Sequence, residues 1–135
     1  MSDPDDSAGI ASVWLRYAAT DMAFARFGLG QPEWREMAAF HAQQAIEKAL
    51  KAMCVATGTD FEKTHDLGRL LGHVRTFDAA FVERWRHLDQ VTEYAVMARY
   101  PMEVGKPALS PAKAVTLAEE VLPAVECWLA GRREP

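Results

Sequence analysis

The stretch that most constrains this chain is "EMAAFHAQQAIEKALKAM", residues 36–53. It is assembled from strong helix formers, Ala, Leu, Met, Gln, Glu and Lys, with no Gly or Pro to interrupt it. Ala38, Ala42, Ala45, Ala49 and Ala52 recur at helical spacing and make one smooth stripe, with Ile46, Leu50 and Met53 beside it. A stripe of that kind lets a second helix approach closely, so the segment calls for helical neighbours. Glu47 and Lys51 stand four apart, the spacing of an ion pair along one helix face. The spacing predicts a helix from about Pro32, a proline suited to a first turn, to Ala56 before "TGTD".

The flanking sequence supplies the neighbours. Val13, Tyr17, Phe24 and Phe27, with Trp14, Ala18 and Ala25 beside them, predict a helix from Ile10 to about Phe27, which "GLG" then ends. Asp21 shares a strip with Trp14, Ala18 and Ala25, so it is expected to be partly buried and paired with a cation or hydroxyl. A short helix is expected to begin at His65 or Asp66, with the Asp as its cap and Leu67, Leu70 and Leu71 as its apolar side. A longer one is expected from Asp78 to Ala98, with Phe81, Trp85, Leu88, Val91, Tyr94 and Ala95 on one side. Ser110 and Pro111 then cap a last helix that Gly131 closes and Pro123 kinks without dividing. With no strand pattern and no repeat, the expectation is all-α: a mostly antiparallel four- to five-helix bundle over residues 9–131, with loose tails at 1–8 and 132–135.

Composition narrows the function. The chain's 135 residues, half of them apolar, suit one globular domain. No apolar run approaches the ~20 residues that span a bilayer, and the acidic start "MSDPDDSAG" is unlike a signal peptide, so the expected location is cytoplasmic. A net charge of −4 argues against a broad grip on duplex DNA, although Arg69, Arg75, Arg84, Arg86 and Arg99 leave room for a local basic pocket. His41, His65, His73 and His87 are scattered without metal-ligand spacing, so no metal and no cofactor is expected. "GLG" lacks a phosphate-loop lysine. Cys54 and Cys127 both lie within apolar helical pattern and read as buried small hydrophobes.

The order and spacing of "WLRYAATDMAFA", "FHAQQAIEKALKAM", "HDLGRLL" and "YAVMARYP" resemble the HEPN domain family, all-α proteins named from higher eukaryotes and prokaryotes nucleotide-binding. The resemblance covers about residues 10–130. It implies a bundle that commonly forms a homodimer, in some members a ribonuclease that is the toxin of a toxin–antitoxin pair with a small nucleotidyltransferase. Such nucleases carry an arginine followed within a few residues by a histidine. Arg99 matches the arginine by its place before the last helix, but no histidine follows His87.

Other pairs do not replace it. Arg35 and His41 lie about 120° apart around a helix axis. Arg69 and His73 share a face but precede the family motif, so packing or surface roles are expected for them. The favoured reading is therefore a HEPN-like module without nuclease chemistry, a homodimeric binding or regulatory partner for a nucleotidyltransferase, a nucleotide or RNA. Its ligand-binding residues would be Arg99, Tyr100, Lys48, Gln44 and His65. The competing reading is a metal-independent endoribonuclease in which Arg99 works with His65 or His73; a third is purely structural dimerisation. Tyr100 and Pro101 are also expected to shape the corner after the helix, with the tyrosine packing against it.

Overall fold

The computed structural model describes residues 6–102 and 105–133. Among them are six α-helices and no strand: α1 (Asp6–Leu29), α2 (Arg35–Thr57), α3 (Leu67–Arg75), α4 (Ala79–Arg84), α5 (Glu93–Arg99) and α6 (Pro111–Arg133). The architecture is an all-α bundle, as the helical periodicity predicts.

At its centre is α2, packed against α1, α6, α3 and α5. Ala38, Ala39, Ala42, Ala45, Ala49 and Ala52, together with Ile46, Leu50 and Met53, are completely buried or nearly so. Small side chains permit that, because neighbours can close on several sides of the helix at once. A single 3-10 turn at Pro32–Trp34 joins α1 to α2 and turns the chain back, so the two helices form an antiparallel hairpin. The start of α1, the end of α2 and the end of α6 meet around Ser7, Ala11, Ala56 and Leu129, which sets α6 parallel to α2 and antiparallel to α1. Gly58, in the left-handed conformation at φ 69°, ends α2 by donating its N–H to carbonyls of the last turn. Asp66 caps α3 by accepting from the N–H groups of Gly68 and Arg69. Ser110 accepts from Lys113 N at the start of α6.

Three expectations need correction. First, α1 begins at Asp6, inside the segment read as a loose tail, and α6 runs past Gly131 to Arg133; residues 1–5 and 134–135 lie outside the described ones. Pro123 does not divide α6, as expected.

Second, the long helix expected over 78–98 is three pieces. α4 ends at Arg84, before Trp85, whose φ −112° and ψ 22° are not helical; a 3-10 segment covers Arg86–Thr92, and α5 follows. The apolar row explains it: Trp85, Leu88, Val91 and Tyr94 recur at every third residue, and all four are buried. Three is the period of a 3-10 helix, where such a row stays on one face; in an α-helix it would drift by about 60° per step. The bundle thus has three long helices and a set of short ones rather than four long and one short.

Third, Cys127 is exposed, whereas Cys54 is buried as expected. Along α1, Val13, Tyr17, Phe24 and Phe27 face outward; the buried strip is Ala11, Ala18, Met22 and Ala25, with Asp21 among them.

Candidate functional site

Three residues at four-residue spacing on α2, Gln43, Glu47 and Lys51, are polar and buried. In a helix enclosed on so many sides, polar side chains must satisfy one another or their surroundings. Lys51 Nζ lies 3.0 Å from Glu47 Oε2 and sits against the rings of Trp14 and Phe61, at 5.5 and 5.8 Å from their centroids. Gln43 donates from Nε2 to the main-chain carbonyl of His65 at 2.8 Å and to Glu47 Oε1 at 3.3 Å. Gln44 reaches the same group, donating to Gln43 Oε1 at 2.6 Å.

This buried set positions the loop before α3. Gln43 holds the backbone of His65, and Glu47 holds its ring, with Oε1 2.8 Å from Nδ1. The other ring nitrogen, Nε2, is 3.0 Å from Nη2 of Arg99. Arg99 is the last residue of α5; its Nη1 donates to the Ala95 carbonyl at 2.9 Å, and its guanidinium lies 5.9 Å from the Phe40 ring centroid. The series therefore runs Lys51, Glu47, His65, Arg99, from a buried ammonium to an exposed guanidinium.

Protons follow from donor chemistry. A guanidinium has five N–H donors and no acceptor, so His65 Nε2 must accept from Arg99 through its lone pair. The ring proton is then on Nδ1, and it is donated to Glu47. In this arrangement the carboxylate behind the ring favours the Nδ1–H tautomer.

A second network lies on the neighbouring strip of α2. Asp21 of α1 pairs with Lys48 and, at 3.1 Å, with His41 Nδ1; Phe24 stacks on the His41 ring at 5.4 Å. Asp21 is buried and paired as its strip predicts.

The model of the HEPN domain family matches residues 11–128. The chain belongs to that family. Neither the curated proteins nor the solved structures contain a match to it.

Within this HEPN chain the residues expected to bind ligand divide into two groups. Arg99 and His65 are brought into contact, and Gln44 bonds within the buried set beneath them. Lys48 instead pairs with Asp21 on the α1 side, about 100° around α2 from Glu47. Tyr100 is 56% exposed, so the corner is packed not by Tyr100 but by Tyr94, which is buried and donates its hydroxyl to the Leu109 carbonyl at 2.6 Å. Burial, then Glu36 and Glu93, push the Tyr94 phenol above its ordinary value. His73 stands apart from the Arg99 contact, 2.8 Å from Glu62, which Arg69 approaches at 3.7 Å. The Glu62 carboxyl is held below its ordinary value by a backbone hydrogen bond, then by His73.

The residue that sequence reasoning missed is Glu47. Its i,i+4 spacing to Lys51 reads as one pair in a solvated or interhelical polar set, whereas it is 3% exposed and orients His65. The signal was the company it keeps: a carboxylate among alanines that all have to be buried.

Proposed function

We propose that this HEPN protein is a binding module for phosphate groups of a nucleotide or RNA, with Arg99 and His65 as the phosphate-facing pair. The single observation that carries this reading is the exposed Arg99–His65 contact at 3.0 Å, anchored from below by buried Glu47 and Gln43. A guanidinium presents a fork that matches phosphate geometry, and the imidazole adds a second donor beside it when protonated. Tyr100, next in the chain and exposed, offers a ring on which a base can stack. Calorimetric titration with nucleoside triphosphates and with a short RNA tests it. Saturable heat that Arg99→Ala abolishes is expected; no heat from either ligand at millimolar concentration overturns the reading.

A second reading, a metal-independent endoribonuclease, is favoured by the carboxylate–imidazole–guanidinium order of Glu47, His65 and Arg99. Cleavage by the RNA 2′-hydroxyl needs both a base and an acid. His65 is the one imidazole in this network, and for that reason the binding reading stands first. Arg99-dependent scission of mixed RNA, read on a gel, reverses the order.

The module acts as a homodimer in this reading. Ile10, Val13, Tyr17, Phe24 and Phe27 form an outward stripe along α1, extended by Trp34 and Met37, and each is 39–61% exposed. With ~150–250 Å² per aromatic side chain, the stripe offers several hundred Å², close to the ~800 Å² each partner contributes to a stable interface. Light scattering that gives one chain's mass at tens of micromolar removes the dimer. A nucleotidyltransferase partner, and with it a toxin–antitoxin role, is supported by family membership alone; co-elution with a neighbouring nucleotidyltransferase is its test.

A further inference from the structure

The resting contact between Arg99 and His65 sets a condition on anything that replaces it. Nη2 of Arg99 donates to Nε2, so His65 offers a ligand no donor in that arrangement, while Arg99 keeps further N–H groups at the surface. A phosphate oxygen entering between them is an acceptor. It can take the Arg99 N–H directly, but it meets a lone pair on His65 Nε2, which repels it. Only a proton on Nε2 turns that repulsion into a hydrogen bond.

We propose that phosphate capture at this site takes up one proton at Nε2 of His65, with Glu47 as the positioning residue that makes the imidazolium tolerable. The inference rests on the phosphate-binding reading above. The proton comes from solvent; no bond other than N–H forms. Histidine is suited to this, because its ordinary titration lies just below neutrality.

The charges around the ring give the coupling its direction. From α2, Glu47 faces Nδ1 and Lys51 stands behind that carboxylate; from α5, Arg99 faces Nε2. In its own loop, Asp66 is turned to the N–H groups of Gly68 and Arg69, and nearby Glu62 is taken by His73 and Arg69. Without ligand, a protonated His65 would set two donors and two positive charges against each other at 3.0 Å, which opens the contact with Arg99. With an anion between them, both cations have a common partner and Glu47 neutralises the imidazolium from the far side. Proton and phosphate therefore bind as a pair, each improving the other's affinity by the same factor.

The test uses the full chain and two probes that share phosphate oxygens, inorganic pyrophosphate and a 2′-O-methyl oligoribonucleotide. The second cannot be cleaved through a 2′-hydroxyl, and its phosphodiesters do not titrate near neutrality. Calorimetry in buffers of different ionisation enthalpy counts protons. Above the histidine range, uptake approaching one proton per oligonucleotide site is expected, with affinity weakening by about tenfold per pH unit. In the free protein, nitrogen-15 spectra of His65 are expected to show the Nδ1-protonated tautomer. Glu47→Gln keeps an acceptor but loses the charge, so residual binding through Arg99 should become independent of pH. Pyrophosphate bound without the oligonucleotide assigns the site to free nucleotides, and proton uptake beyond pyrophosphate's own then decides the inference. Binding of either probe with no net uptake, or an Nε2-protonated resting ring, overturns the inference and leaves the phosphate reading intact. Binding of neither probe at any pH overturns both.

Discussion

Two polar networks grow from the same helix, and they differ in where their charge ends. On the α1 side, Lys48 and His41 converge on one carboxylate, Asp21, so the opposite charges close on each other between two long helices. On the α3 and α5 side, Lys51 and Glu47 are paired below, but the series continues through His65 to a guanidinium at the surface. The first network consumes its charge within the hairpin. The second carries it from the core to an exposed edge, which is what a site requires and a packing contact does not. Depth also separates them: the side chains of Glu47 and Lys51 are 4% and 9% exposed, while those of Lys48 and His41 are 25% and 33%.

Removing the central carboxylate of each network should expose that difference. Glu47→Ala strands the ammonium of Lys51 in the interior and deprives Gln43 and His65 of a partner, so a loss of about 3–5 kcal/mol is expected in urea denaturation. Replacing Glu47 and Lys51 together by Leu and Met should recover most of it, because no charge is then left unpaired. Asp21→Ala leaves Lys48 and His41 with access to water, and about 1 kcal/mol is expected. Equal losses from the two alanine variants would break the comparison.

How much of this was legible follows from the periods involved. α2 could be read because it is rich in strong helix formers and its alanines recur at helical spacing. Asp21 could be read because a charge on an apolar strip needs a partner. The segment after Arg84 was misread because positions 85, 88, 91 and 94 fit a helical row over one turn and depart from it only over three. In α1 the period told of a helix but not of its buried face: the large apolar residues mark the outward face, and the buried one is built from alanines and Met22. Large side chains alone do not say which face of a helix is the buried one. Arg99 and His65 are 34 positions apart, and no local spacing brings them together; what joins them is Gln43 and Glu47 gripping one loop.

Cys54 sharpens the comparison from the same helix, as an ionisable group whose surroundings are apolar. Burial pushes its thiol from an ordinary 9.0 to about 11. The folded state therefore holds the proton more tightly than the unfolded chain does. Its stability contribution is intact below pH 9 and is lost as pH rises towards 11, by about 1–2 kcal/mol. Denaturation from pH 8 to 11 should show this fall, and Cys54→Ala should lack it. Exposed Cys127 should react with a thiol reagent in the native protein while Cys54 stays protected.

The smallest expected stability change is the most informative about function. Arg99 lies at the open end of its network, exposed, and touches the protein through the Ala95 carbonyl, the Phe40 ring and His65. Its removal buries no unpaired charge, because His65 Nε2 regains water and Glu47 keeps both Lys51 and the His65 ring. Arg99→Ala should therefore change the unfolding free energy by less than about 0.5 kcal/mol. Binding of phosphate ligands should be lost in the same variant, and Arg99→Lys should not restore it fully, since an ammonium lacks the planar fork. A residue whose loss costs nearly nothing in folding and nearly everything in binding is held in place for its ligand. Were Arg99→Ala to cost as much as Glu47→Ala, the guanidinium would belong to the core's own charge pairing, and the two networks would differ only in length.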